Sequence, residues 1–416
     1  MAFYTQNVKT QIFNAVFDSG KYRSQFNLTN DTLYMSNLRL LNVGLTAISN
    51  GQRYNLVNGV GSIIKNITLY SDNTVIDKVI NFADYSAFQQ YNKTNQANSD
   101  VSKLLLRNGL GFVYERTPDT DSTPTAPNPI TIKEFFPNAP DIPTTLTYTT
   151  VMGFLNLREV FPILKGAGGL QFLHTGMLKN LKLVIEYTTV DTIVADPVGA
   201  TGAVDTTTLP ILVADSITDP SVASKFLSDF KQQQWVSSEL ETVVLEAQAT
   251  AGVQFQKFRL TGAESKFVNS ILIQKKGSSS VSRLYAGHGS ETMLDERIQL
   301  YTNGSAHLPE NGVVSAMQRL ALLHDSFGVS NTHTGASDLS MYNPANFVDA
   351  GLDRIGHLDW FGCIVNKRIT SLDLDYSRTI ATGALPKYSQ QIKLNVFYGV
   401  LKALIKTPKG FEVVYV

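Results

Sequence analysis

The 416-residue sequence contains a single cysteine, Cys363. An intramolecular disulfide is therefore impossible, and so is a cysteine-based zinc site within one chain. Set in Trp360-Phe361-Gly362-Cys363-Ile364-Val365, it is expected to act as a small buried hydrophobe. Charge is scarce as well: 17% of residues are charged, against about 25% in a typical globular domain. Lys plus Arg number 35 and Asp plus Glu number 35, so the net charge is zero. Proteins that wrap nucleic acid need Lys and Arg to neutralise phosphates, so no direct, sequence-specific nucleic-acid binding is expected. No apolar run approaches the roughly 18 residues of a membrane-spanning helix. The opening Met1-Ala2-Phe3-Tyr4-Thr5-Gln6 lacks the basic and apolar regions of a signal peptide, and synthesis in a reducing compartment is the expectation.

Catalytic signatures are missing too. The six histidines are His174, His288, His307, His324, His333 and His357. None forms the His-x-His pair with which a cupin-type enzyme grips a metal, and His324 and His333, nine residues apart in an expected loop, are not expected to form a metal site. No Gly-x-Ser-x-Gly pentapeptide provides a nucleophile elbow; Gly287-His288-Gly289-Ser290-Glu291 and Gly277-Ser278-Ser279-Ser280 resemble one only superficially. Gly166-Ala167-Gly168-Gly169 lacks the third glycine of a dinucleotide fingerprint. Catalytic, cofactor-binding and metal-binding residues are all expected to be none. Five Asn-x-Ser/Thr sequons, at Asn27, Asn30, Asn66, Asn92 and Asn303, are what chance gives in an Asn- and Thr-rich chain.

What the sequence does hold is a succession of short strand-like runs. Leu181, Leu183, Ile185 and Tyr187 alternate with Lys182, Val184 and Glu186. Ile392, Leu394, Val396, Tyr398 and Val400 alternate with Lys393, Asn395, Phe397 and Gly399. A period of two with one apolar side predicts sandwich strands. Three stretches read as helical: Asp84 to Leu106, Val313 to Leu323, and one opened by Asp219-Pro220, where Asp suits the N-cap and Pro the first turn. The residues Val8, Ile12, Phe13, Val16 and Phe17 give the N-terminal stretch a helix-like apolar side. It would pack under its own domain, reach a neighbouring subunit or lie on a membrane. Residues 117–145 hold seven of the 15 prolines (Pro118, Pro124, Pro127, Pro129, Pro137, Pro140 and Pro143) and cannot pair as a central strand. This segment, together with 188–210 and 325–349, is expected to form long loops.

Two pairs of segments suggest an internal duplication. Ile67-Thr68-Leu69-Tyr70-Ser71-Asp72-Asn73 resembles Ile298-Gln299-Leu300-Tyr301-Thr302-Asn303-Gly304, at an offset of 231 residues (298 − 67). Leu181 to Tyr187 resembles Ile392 to Tyr398, at an offset of 211 (392 − 181). The expected fold is all-β with short inserted helices: a first β-sandwich over 1–215, a helical linker over 216–235, and a second β-sandwich over 236–416.

With this architecture the sequence resembles the double jelly-roll major capsid proteins, in particular those of Polinton-like viruses and virophages. The resemblance is carried by short segments in order along the chain. The first half supplies Ile67 to Tyr70 with Val75-Ile76-Asp77, Gly153 to Leu157 leading to Val160 to Leu164, and Leu181 to Tyr187. The second supplies Glu296 to Gly304 with Leu308-Pro309, Ser371 to Leu374, and Asn395 to Val416. It implies a homotrimeric, pseudo-hexagonal capsomer tiling the icosahedral shell of a tailless double-stranded DNA virus, located in the virion capsid and assembled inside the host cell. The implied partners are itself, neighbouring capsomers, and penton and minor capsid proteins; an internal membrane is one it allows. It implies a structural protein and no enzyme. The alternative reading is a carbohydrate-binding β-sandwich adhesin of a virus or phage.

Overall fold

A computed structural model describes residues 7–45, 64–82, 85, 112–114, 151–164, 172–188, 209–276, 296–309, 312–314, 316–327, 360–380, 391–408 and 410–416. The first half contributes β1 (Val8–Asn14), β2 (Val16–Asp18), β3 (Arg23–Asn27), β4 (Leu33–Met35), β5 (Arg39–Leu45), β6 (Ile64–Ser71) and β7 (Thr74–Ile80). It continues with β8 (Phe112–Tyr114), β9 (Val151–Asn156), the short helix α1 (Leu157–Val160), a 3-10 turn at Pro162–Leu164, β10 (Phe172–His174), β11 (Lys182–Tyr187) and β12 (Ile211–Ile217). One sheet runs β10-β4-β12-β5-β9-β8, with β1 also on β12; the other runs β2-β3-β11-β6-β7. Side chains from both, such as Leu40, Leu155 and Leu212 against Phe26, Leu69 and Ile185, merge into one buried core.

Helix α2 (Pro220–Asp229) follows. Asp219 is its N-cap and accepts a hydrogen bond from the Ser221 amide at 2.8 Å, with Pro220 in the first turn, as the sequence predicts. The second half then contributes β13 (Gln232–Leu245), β14 (Gly252–Arg259), β15 (Phe267–Lys276), β16 (Glu296–Thr302), β17 (Ser305–Ala306), helix α3 (Ala316–Phe327), β18 (Trp360–Arg368), β19 (Leu372–Ile380), β20 (Ile392–Thr407) and β21 (Gly410–Tyr415). Its sheets run β13-β20-β15-β18, with β21 on β20, and β14-β19-β16-β17.

The two halves repeat one topology. The path β1-β12-β5-β9 becomes β13-β20-β15-β18, and β3-β11-β6-β7 becomes β14-β19-β16-β17. The first sequence pair therefore lies on equivalent strands, β6 and β16. The equivalence extends to single residues: Tyr70 pairs with Lys182 at the start of β11, and Tyr301 with Asp373 at the start of β19. The amide of Leu28 donates to the Leu181 carbonyl at 2.9 Å, as that of Leu260 does to Leu372 at 2.8 Å. Both turns after these strands pass through a left-handed residue, Asp72 (φ 49°) and Asn303 (φ 55°). Asp and Asn tolerate that conformation because a short polar side chain bonds locally.

The second sequence pair is not equivalent. Leu181 to Tyr187 covers β11, whose counterpart is β19, whereas Ile392 to Tyr398 lies on β20, the counterpart of β12. Both β11 and β20 are central strands with neighbours on each side, so both are apolar. Their likeness reflects burial and not position in the repeat.

Two other expectations change. The N-terminal stretch is not helical: β1 pairs antiparallel with β12 from Val8–Ile217 to Asn14–Ile211. Phe13, Ala15 and Phe17 pack on the core at a period of two, and the helix-like spacing came from Ile12 and Val16, which point outward. Helix α3 begins later than Val313 and runs to Phe327, so 325–327 are helical rather than loop. Residues 117–145, 189–208 and 328–349 fall outside the described residues, as does the helix expected over 84–106 except Tyr85.

Helix α3 lies on the outer face of the second half's longer sheet. Leu323 and Phe327 meet Leu272 and Phe397 there, with Tyr85 joining from the first half; the Tyr85 and Phe397 rings are 5.6 Å apart. The helix comes so close that a Cβ on Gly362 would stand 2.5 Å from the Phe327 ring. Fully buried Arg319 fixes it from below, donating to the Glu296 and Val314 carbonyls at 3.0 and 2.9 Å. Glu296 itself forms a buried ion pair with Lys275.

One ribbon joins the halves. On β20, Leu394, Val396, Tyr398 and Val400 fill the second core, and Leu404, on the same face of the strand, enters the first core together with Trp235 of β13. Phe411 and Val413 of β21 add to that first core. The strands β13, β20 and β21 thus extend past their own sandwich and cover the other.

Candidate assembly surfaces

Among the described residues, the two histidines and the cysteine have structural partners or surroundings. His174 is buried, and its Nδ1 accepts from the Gly176 amide at 2.9 Å. Burial lowers its pKa, against the opposing pull of Asp31. His307 places Nε2 2.8 Å from the Ile364 carbonyl. The ring environments of His288, His324, His333 and His357 lie outside the described residues, as do Gly166 to Gly169, Gly277 to Ser280 and Gly287 to Glu291. Cys363 packs in the second core, and burial pushes its thiol up to about 12. It stays protonated and unreactive at neutral pH, the small hydrophobe the sequence predicts. Among the described residues no three His, Cys, Asp or Glu side chains come together as a metal site, and no helix is long and apolar enough to cross a membrane.

What stands out instead is apolar surface on sheet edges. Among the described residues β1 pairs only with β12, and beyond its inward residues it presents Ile12, 62% exposed; Val16, at the start of β2, is 63% exposed. On the second half, edge strand β14 presents Val253 and Phe255, 72% and 56% exposed. Isolated exposed apolar residues are ordinary. Val253 and Phe255, successive outward positions on one edge strand, are different, because the edge also offers unpaired backbone groups to another chain. The far end of β14 is closed by charge: Arg259 reaches Glu264 at 2.8 Å and Asp373 at 3.4 Å. Among the described residues, the Val253–Phe255 end has no such ion pair. Sequence reasoning missed both patches, although the period-two alternation of Val253, Phe255 and Lys257 was there to be read.

No protein-family model and no curated protein matches the sequence. Solved structures do. PBCV-1 VP54, whose crystal structure was fitted into a cryo-EM reconstruction of the virophage Sputnik, matches with a TM-score of 0.55 at 9% identity, over 99% of this chain and 97% of that one. The mavirus major capsid protein matches with a TM-score of 0.53 at 12% identity, over 98% and 90% of the two chains. The Faustovirus major capsid protein matches with a TM-score of 0.54 at 9% identity, over 96% and 90%. The agreement spans both sandwiches and the ribbon between them, and on it this chain has the double jelly-roll fold of virus major capsid proteins.

Proposed function

We propose that the protein is a major capsid protein: a homotrimeric, pseudo-hexagonal capsomer that tiles the icosahedral shell of a tailless double-stranded DNA virus. The observation that carries this reading is the end-to-end match to capsid subunits, with both sandwiches in the same order. A single-sandwich adhesin would match over half the chain, so the match favours a shell role over carbohydrate binding. Three chains of two similar sandwiches supply six similar domains around an axis. The division into 1–215, a linker over 216–235 and 236–416 belongs to the same reading; it is supported by the repeat of topology on either side of α2.

The exposed edges are the surfaces through which copies meet. The patch of Ile12 and Val16 and the patch of Val253 and Phe255 lie on different sandwiches, so a contact between them is heterologous, and a heterologous contact that closes forms a ring. A neutral chain, with 35 basic and 35 acidic residues, lets capsomers approach without strong mutual repulsion. The penton, the minor capsid proteins and an internal membrane are the further partners of this reading, and its activity is assembly rather than catalysis.

Light scattering on the purified chain, with negative-stain images, tests this. A trimer with a hexagonal outline is expected, and Phe255→Asp should weaken the trimer while leaving the circular dichroism spectrum unchanged. A monomer that binds glycans would overturn the proposal.

A further inference from the structure

Along β13 and the strand it packs on in the first sandwich, the acidic side chains differ in how they are met. Glu239 accepts from Lys266 and from the Tyr415 hydroxyl, each at 2.6 Å, and lies 3.5 Å from the Lys402 ammonium. Glu241 accepts from the Tyr398 hydroxyl at 2.7 Å and from the Gly262 amide at 2.9 Å. Asp77 is the exception. It sits on β7, wholly buried in the junction, where Oδ1 accepts from the Ser237 hydroxyl of β13 at 2.6 Å and from its neighbour's amide, Lys78, at 3.0 Å. Its other oxygen, Oδ2, is buried with no hydrogen-bond partner.

A proton on Oδ2 displaces no hydrogen bond formed in the structure, whereas a charge there is desolvated and met only from farther off, by the Ile163 amide and the Lys402 ammonium. The groups facing Asp77 come from every side of the junction: Ser237 from β13, Lys402 from β20 and the Ile163 amide from the 3-10 turn. Of these only Lys402 is charged, and its ion pair and its aromatic contact are with Glu239 and Tyr415. We propose that Asp77 is a proton-operated lock between the two sandwiches: protonated, it seals a dry junction through Ser237, and ionised, it loosens the ribbon from the first sandwich.

Burial, the dominant influence, pushes the Asp77 carboxyl from 3.8 up to about 6, against the opposing effects of Ser237 and Lys402. A raised folded-state value means that the closed junction binds the proton more tightly than the open one. The extra stability is complete below pH 3.8 and is lost as pH rises through about 6. This inference does not depend on the shell reading.

Hydrogen exchange of β7 and of Phe161, Ile163 and Leu164, which the ribbon covers, measures the opening. After correction for intrinsic chemistry, opening should be about tenfold more favourable at pH 7.5 than at pH 5, from linkage between the two protonation values. Asp77→Asn keeps the shape and the acceptor for Ser237 but cannot ionise, and its opening should be equal at the two pH values. Ser237→Ala removes a donor that favours the charged form, so it should move the wild-type midpoint upward. It also keeps the test open if Asp77→Asn does not fold. A pH step that persists in Asp77→Asn, or no step in the wild type, would overturn the lock.

Discussion

The two sandwiches share a strand order, yet they are not equally self-sufficient. Among the described residues, every buried residue of the second core comes from the second half, from Leu245 to Val400. The first core includes Trp235 and Leu404, which the second half lends it, and Phe226, Phe230, Phe411 and Val413 pack on it from the same side. The Phe230 and Phe411 rings stand 5.7 Å apart at this seam. The difference teaches that a duplicated fold need not give two independent domains: here one copy serves as the lid of the other. Tyr85 is the return contact, from the first half onto Phe397.

The largest expected effects test this asymmetry directly. Ile185 and Val396 are both fully buried, one in each core. An unpaired charge at such a site costs several kcal/mol or more, so Ile185→Asp and Val396→Asp should each abolish a cooperative native state. They should differ in reach. Val396→Asp should remove exchange protection from both halves, because β20 carries Leu404 into the first core, whereas Ile185→Asp should spare protection in β15, β18 and β19. Equal collapse in both variants would show that the second sandwich is not independent.

Next in size is Trp235→Ala. Removing a buried Trp costs about 3–5 kcal/mol, and the loss should appear in the exchange of β3, β6 and β11, although Trp235 belongs to β13. Protection lost mainly in the second half would break the comparison. Gly362→Ala should cost about 1–3 kcal/mol, the usual range for overpacking, since its Cβ would meet Phe327 at 2.5 Å. Chemical denaturation would read this change, and Phe327→Leu in the same chain should recover part of it.

The smallest effects probe the equivalence of the halves. Asn303 uses Oδ1 to accept from the Thr370 amide at 2.7 Å and holds φ at 55°. Asp72 holds φ at 49° and accepts from Asn180 at 2.5 Å. Replacing either by Ala should cost about 1–2 kcal/mol, since left-handed backbone disfavours a plain Cβ. Gly should recover part of that loss at both positions. Recovery at one turn alone would mean that the two hairpins are held by different forces.

Much of this was legible in the sequence because alternation is a local signal. The strands at 181–187 and 392–400 and the Asp219-Pro220 cap are each dictated by residues within one element. The motif Ile67 to Tyr70 and its counterpart at 298 to 301 were legible for the same reason, since a strand and its tight turn travel together. The pairing of 181–187 with 392–398 misled because burial on both faces makes central strands alike. The N-terminal strand misled because Ile12 and Val16 satisfied a helical spacing while Phe13 and Phe17 served the sheet. The assembly patches and Asp77 were hidden for a different reason. Exposure and isolation depend on what other parts of the chain cover, and no window of sequence contains that.

The continuous β20 has a mechanical consequence. Its 16 residues span roughly 50 Å at the usual rise of a strand. A force on one sandwich is therefore carried to the other along hydrogen-bonded backbone loaded in shear, with β13 and β21 bonded alongside it. A flexible linker would act as a hinge. This junction acts as a beam, and a subunit built around it resists bending as a single stiff plate.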